Sequence, residues 1–178
     1  MSKLVVRWIL ATLVFVPSVA GAQERGDVGV FMGYPSLGLI WQVSDNVALR
    51  PQISFDVSSA EVDSVFTGTG KAESWNIGFG ATALFYLSDA DRLRTYIAPQ
   101  FTYSRSEGGR VDTDGTTTDS YSFAGLFGAE YSPTSRFGVF GELGVGYDRQ
   151  TSDAGSSSSN IKSNNFGTRA GVGVILYF

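Results

Sequence analysis

Residues 75–85 read Trp-Asn-Ile-Gly-Phe-Gly-Ala-Thr-Ala-Leu-Phe, with no charged side chain anywhere in the stretch. Alternate residues of a β-strand point to opposite faces, so steps of two along the sequence collect the side chains of one face. One face of this stretch runs from Trp75 through Ile77 and Phe79 to Phe85. The other face carries Asn, Gly, Gly, Thr and Leu. The stretch therefore predicts a strand with one unbroken apolar face.

Seven further stretches alternate in the same way, and together they predict an all-β chain of eight strands. These are Val28 to Tyr34, Leu37 to Val43, Val47 to Val57, Thr95 to Ser104, Tyr121 to Tyr131, Phe137 to Asp148 and Phe166 to Phe178. No stretch of the mature chain shows a sustained apolar period of 3.6 residues, so we expect helix to be a minor component.

The links between the predicted strands alternate between short and long. Short turns are expected at 44–46, 88–92 and 133–135, and long, polar, Gly/Ser/Thr-rich loops at 58–73, 105–119 and 152–164. The exception is the first link, around Pro35 and Ser36, which is short on the long-loop side. An even number of antiparallel strands with short turns at one end and longer loops at the other is typical of an up-and-down transmembrane β-barrel.

Aromatic residues at the strand ends indicate that the apolar face meets lipid. Trp75 and Phe85 are ten residues apart on one face, and ten residues tilted by about 40° rise roughly 25 Å, the height of a lipid-facing band. A soluble barrel or sandwich is the alternative, but it would keep its apolar face inside. The predicted membrane-interface aromatics are Trp41, Trp75, Phe85, Tyr103, Tyr121, Tyr131, Phe137, Tyr147 and Phe166, joined at the two rims by Phe55 and Phe178.

Residues 1–22 have the pattern of a cleavable signal peptide. Lys3 and Arg7 precede an apolar run, and Ala20-Gly21-Ala22 forms a small-residue exit. A retained membrane anchor is the alternative, but the run is short for a spanning helix and contains Pro17. The barrel domain is therefore predicted to occupy residues 23–178.

The composition argues against most catalytic chemistry. The sequence has no His and no Cys, which leaves no imidazole base, no thiolate nucleophile and no nitrogen or sulfur ligands for zinc or copper. We therefore expect no enzyme activity, no cofactor and no metal site. A net charge of -4 provides no basic footprint for nucleic acid.

The final residues, Gly171 to Phe178, carry a family resemblance. Phe178 is a terminal aromatic, Leu176 is an apolar residue two positions before it, and Gly173 lies five positions before it. With the signal peptide and the strand scheme, the chain from about Asp27 resembles the small eight-stranded outer-membrane proteins, the group of the outer-membrane protein A transmembrane domain and outer-membrane protein X. The resemblance implies the outer membrane of a Gram-negative-type bacterium and recognition by its barrel-assembly machinery.

Four charged residues fall on the predicted lumen face. We expect Arg50, Glu130, Glu142 and Arg169 to form an ion-pair network that plugs the lumen, although each could instead be solvated by trapped water. An eight-stranded barrel is only just wide enough for its own side chains. The expected role is therefore structural, envelope-stabilising or surface-recognising. A narrow porin-like channel is the alternative, because many Gly residues on the lumen face leave space.

Basic residues near the predicted outer rim are candidate contacts for lipopolysaccharide phosphates, alongside the outer-membrane lipids. They are Lys71, Arg105, Arg110, Arg149 and Lys162, and the alternative for each is ordinary solvated loop charge. The long loops could also bind a surface ligand, which the sequence does not identify.

Overall fold

The computed structural model describes residues 28–33, 36–64, 68–90, 92–110, 116–154 and 160–178. Its elements are eight β-strands, β1 Val28–Gly33, β2 Leu37–Ser44, β3 Val47–Ser64, β4 Gly68–Ala90, β5 Leu93–Arg110, β6 Thr116–Thr134, β7 Phe137–Ala154 and β8 Asn160–Tyr177. The predicted signal peptide lies outside the described residues and stays a prediction.

The eight strands form a closed antiparallel barrel in which each strand pairs with its sequence neighbours. Pairing of β1 with β8, from Gly29 opposite Tyr177 to Gly33 opposite Gly173, closes the ring. The predicted eight-stranded, up-and-down barrel is confirmed. Short turns join the strands at one end, where residues 45–46 and 135–136 form two of them.

The outer face of the barrel is apolar and exposed, as the alternation predicts. Phe79, Phe123 and Leu143 point outward and are more than half exposed. The residues that alternate with this outer face point into the lumen. Leu84 and Leu126 are two of them, and both are buried. Within the described part of the chain, no helix is both long enough and apolar enough to cross a membrane.

The strands run much further than predicted, so the expectation of long loops is wrong. Strand β3 continues to Ser64, β4 begins at Gly68, and β6 begins at Thr116. A membrane needs only about 9–11 residues of tilted strand, whereas β4 has 23 residues. The sequence of the extra length is mostly polar, as in Ser58-Ser59 of β3 and Thr116-Thr117-Thr118 of β6. This removes the alternation, while residues such as Thr still favour extended backbone.

The first hairpin is short, and it leaves a gap in the outer part of the barrel wall. Among the residues that the structure describes, β3 pairs with β2 only as far as Ile53, and β8 pairs with β1 only as far as Gly173. A turn with a 2.9 Å hydrogen bond from the Gly33 nitrogen to the Ser36 oxygen ends this hairpin. We call the gap between residues 54–64 of β3 and residues 160–172 of β8 the lateral notch.

Two glycines of β7 provide a test of how tightly the wall packs. A Cβ at Gly144 would overlap the carbonyl oxygen of Gly125 and lie 2.8 Å from the Leu126 Cα, whereas a Cβ at Gly141 would meet nothing within 4 Å. We expect Gly144→Ala to lower the free energy of unfolding by about 1–3 kcal/mol, because overpacking forces the backbone to shift. Gly141→Ala is the matched control and should change it little. Urea unfolding in micelles measures both, and equal effects would contradict the predicted close packing.

Candidate functional site

One ion pair crosses the lumen between opposite walls of the barrel. Strands β3 and β7 are four strands apart in a ring of eight, and Arg50 of β3 meets Glu142 of β7. The Arg50 Nη2 lies 2.7 Å from Glu142 Oε1 and 2.9 Å from Oε2. The side chains are only 2% and 5% exposed, respectively. Through Nη2 this buried ion pair ties the two walls together, while Arg50 Nε and Nη1 are buried without a hydrogen-bond partner among the described residues.

Aromatic side chains from two further strands and from β7 complete this layer. The Arg50 guanidinium carbon lies 5.1 Å from the ring centre of Phe31 and 5.0 Å from that of Phe140, within the range of cation–π attraction. The Tyr96 hydroxyl donates a 2.9 Å hydrogen bond to Glu142. The layer therefore draws on β1, β3, β5 and β7, every second strand of the ring. We call Phe31, Arg50, Tyr96, Phe140 and Glu142 the lumen plug.

The inner half of the lumen, between the plug and the short turns, is filled by side chains. The buried apolar and aromatic residues there include Ile40, Ala48, Leu84, Tyr86, Ala98, Ile175 and Tyr177. Glu130 is fully buried among them, and its Oε1 accepts hydrogen bonds from the Ser132 hydroxyl at 3.0 Å and the Tyr177 hydroxyl at 2.8 Å. This half of the lumen is filled by buried side chains rather than open.

Arg94 is a buried lumen charge that the sequence analysis missed. It lies over the Tyr86 ring, with its guanidinium carbon 3.4 Å from the ring centre, and donates a 3.0 Å hydrogen bond to the Asp45 carbonyl. The predicted turn ends at residue 92 and the predicted strand begins at Thr95, so Arg94 is assigned to neither. Extending the lumen face of Tyr96 by one step of two residues would have identified it.

Arg169 lies nearer the outer end of the lumen and pairs with Asp148 of the neighbouring strand β7. Its side chain is 37% exposed, unlike that of Arg50. Of the four charged residues expected to form one network, the structure brings Arg50 and Glu142 together. It places Glu130 in the inner core and Arg169 on the wall of the outer lumen.

A cavity of about 1050 Å³ occupies the outer half of the lumen and ends on the plug. Most of the residues that line it have amide, hydroxyl or charged side chains, interspersed with apolar ones. The polar residues are chiefly Gln52, Ser54, Asp56, Asn76, Gln100, Thr102, Ser104, Ser106, Thr118, Ser120, Ser122, Asp148, Gln150 and Arg169. Near its floor, the Gln100 amide donates to Thr82 at 3.1 Å and to Gln52 at 3.3 Å. We call this space the outer cavity.

A sequence model for the outer membrane protein beta-barrel domain family matches residues 12–174. The chain belongs to this family. Its membership supports a location in the outer membrane. The match begins within the predicted signal peptide, so the domain boundary at residue 23 stays a prediction.

Comparison with solved structures finds similar proteins at low sequence identity, one of them with a TM-score above 0.5. A major outer membrane protein of Thermus thermophilus is 14% identical and aligns with a TM-score of 0.52 over 85% of this chain and 98% of that one. CarO of Acinetobacter baumannii is 15% identical over 89% of this chain and 100% of that one, with a TM-score of 0.44. No curated protein matches the chain.

All nine predicted membrane-interface aromatics lie on the outward face of the barrel. Seven are exposed, namely Trp41, Trp75, Phe85, Tyr121, Tyr131, Tyr147 and Phe166, while Tyr103 and Phe137 are half-buried by neighbours. The Tyr103 and Tyr121 ring centres are 5.1 Å apart on adjacent strands. The Tyr103 hydroxyl donates a 2.7 Å hydrogen bond to Asp119. An amphipathic ring with its polar tip towards charge suits a membrane interface.

The three residues of the predicted assembly signal occupy different faces of β8. Leu176 and Phe178 point outward and are exposed. Gly173 faces the lumen, where a Cβ would lie 2.6 Å from the Met32 carbonyl oxygen and from the Phe140 ring. Packing therefore requires a residue without a side chain at this position, whatever its part in assembly. Across the described residues, no group of three or more His, Cys, Asp or Glu side chains could hold a metal ion.

The same substitution at two arginines distinguishes the plug from the outer pair. We expect Arg50→Gln to lower the free energy of unfolding by about 3–5 kcal/mol, because it leaves Glu142 charged and buried without its cation. Arg169→Gln should cost less than about 1 kcal/mol, because water screens that pair. Urea titration of the folded barrel in micelles compares them. Similar losses of unfolding free energy in the two variants would contradict the prediction that the Arg50–Glu142 pair stabilises the barrel more than the Arg169–Asp148 pair.

Proposed function

We propose that this protein is a non-conducting barrel of a Gram-negative-type envelope, exported by a signal peptide and inserted by the barrel-assembly machinery. Its role is envelope stabilisation or surface recognition. The observation that supports this is the plug, which joins opposite walls across the lumen at Arg50 and Glu142. The inner core of buried side chains, including Glu130, forms a second barrier behind it.

We also propose that the protein is not an enzyme. The sequence has no His or Cys, and both deeply buried lumen carboxylates already accept hydrogen bonds. Glu142 is held by Arg50 and Tyr96, and one oxygen of Glu130 is held by Ser132 and Tyr177. Buried carboxylates that are already hydrogen-bonded to neighbouring side chains suit a structural role better than proton transfer to a substrate.

A narrow channel is the second candidate function, because the outer cavity reaches halfway along the lumen. A solute that entered it would meet the Arg50–Glu142 pair and then the inner core of Tyr86, Ile175 and Tyr177. Conduction would require both barriers to open. The filled inner half therefore favours a closed barrel.

Planar-bilayer recordings distinguish these two candidates. We expect the native barrel to show no steady openings. Glu142→Gln should also stay closed, because Tyr86, Ile175 and Tyr177 still fill the inner half of the lumen. Steady openings in the native protein, with a size that changes in Glu142→Gln, would establish the channel instead.

Outward-facing basic residues on β7 and β8 support contact with lipopolysaccharide phosphates. Arg149 lies opposite Asn164, and Lys162 lies opposite Thr151, so the two cations are diagonal neighbours, about 7–8 Å apart at the backbone. Neither faces an acidic residue directly across the β7–β8 ladder, although Asp153 is also a diagonal neighbour of Lys162. Arg105 differs, because it lies 3.9 Å from Glu107 and faces Asp119. The side chains of Lys71 and Arg110 lie outside the described set.

The combined variant Arg149→Gln/Lys162→Gln tests this contact. We expect the barrel's affinity for lipopolysaccharide to fall about thirtyfold, because each of the two cations near an anionic surface adds about 1 kcal/mol. Arg105→Gln is the matched control and should change affinity little. Titration of each folded barrel with native and with dephosphorylated lipopolysaccharide measures the effect. A loss that is the same for both lipids would exclude phosphate recognition.

A further inference from the structure

The lateral notch opens through a part of the wall whose outward side chains are apolar. Phe55 of β3 and Phe166 of β8 are each 70% exposed, and Val172 of β8 is 67% exposed. These are among the highest exposures of any described large apolar residue. On β8, the outward stripe from Phe166 to Val172 includes Thr168 and Ala170 and lies entirely beyond the last residue paired with β1. The notch therefore begins within the lipid-facing band.

Unpaired strand edges at this level demand polar partners. Hydrocarbon cannot hydrogen-bond to backbone groups, so irregular backbone is tolerated at membrane depth only where it lines a polar, water-filled space. Such a space lies directly behind the notch. Ser54 and Asp56 of β3, and Arg169 and Gly171 of β8, line the outer cavity. The same two edge strands thus have lipid on one side and the cavity on the other.

The side chains that line the outer cavity favour some polar ligand groups over others. Its amides and hydroxyls both donate and accept hydrogen bonds. So do the backbone groups along the notch, which have no ladder partner across it among the described residues. Arg50 is paired with Glu142 and Arg169 with Asp148, while Asp56 has no ion-pair partner among the described residues. The remaining negative charge disfavours an anionic group, and a phosphate could only accept hydrogen bonds. A neutral, hydroxyl-rich group complements this lining.

We propose that the outer cavity and the lateral notch form one binding site for an amphiphile with an uncharged, sugar-like head group. The head group occupies the outer cavity above the plug. The apolar tail leaves through the notch, past Phe55 and Val172, into the outer leaflet. The cavity volume of about 1050 Å³ is slightly above the range of about 300–1,000 Å³ for small-molecule sites, which leaves room for a mono- or disaccharide with water.

Binding of n-octyl glucoside to the barrel in phosphatidylcholine nanodiscs tests the proposal, with empty nanodiscs subtracted. We expect saturable binding, with glucose and octyl phosphate each about tenfold weaker, because one lacks the tail and the other lacks the neutral hydroxyl-rich head. Ser122→Trp projects into the outer cavity and should abolish saturable binding. Gly125→Trp, on the same strand but facing outward into open space, is the matched control and should retain it.

Heat-modifiable gel mobility establishes that each variant is folded. If Ser122→Trp does not fold, Asn76→Leu replaces it, since this change keeps the volume of a cavity-lining side chain and removes its amide. Unchanged binding in the folded cavity variant, or equal affinity for glucose and n-octyl glucoside, would overturn the proposal. So would equal affinity for octyl phosphate. None of these readouts depends on conductance, so a conducting barrel would refute the proposed closed lumen without deciding this question.

Discussion

Hydrocarbon offers no hydrogen bonds, and this single constraint organises the molecule. Every strand that crosses the bilayer must satisfy its backbone on its neighbours, which forces the ring to close, as β8 does on β1. Closure with eight strands leaves a lumen that side chains can fill. Polar side chains that point inward must then find partners at close quarters, and Arg50 finds Glu142 on the far wall. The apolar outer face and the charged plug thus both follow from the lack of hydrogen-bonding groups in the hydrocarbon.

The membrane-spanning part of the fold could be predicted from the sequence, because lipid on one side and lumen on the other impose a period of two. Trp75 to Phe85 shows this period without interruption. Beyond the membrane, both faces of a strand meet water and the period disappears. The sequence therefore predicts loops for the outer parts of β3, β4 and β6, although their ladders continue.

The lumen charges show where a one-dimensional pattern reaches its limit. The alternation of residues along each strand is enough to assign Arg50, Glu130, Glu142 and Arg169 to the lumen. Which charges form ion pairs depends on the stagger between strands and on the length of side chain that can cross the barrel. Arg50 and Glu142 are 92 positions apart in the chain, and no local pattern connects them. Arg169 instead meets Asp148 on the adjacent strand. Arg94 was missed for a simpler reason, since the strand is predicted to begin too late to include it.

The plug also has a mechanical consequence for the cylinder. An ion pair between opposite strands, such as Arg50–Glu142, resists flattening of the barrel's cross-section at the level of the plug. The outer section has no ion pair between opposite strands among the residues described, and its circumference is interrupted where β1 and β2 stop short. Thermal motion of the wall should therefore be concentrated at the end opposite the short turns, and the half next to the short turns should be the stiffer end of the barrel.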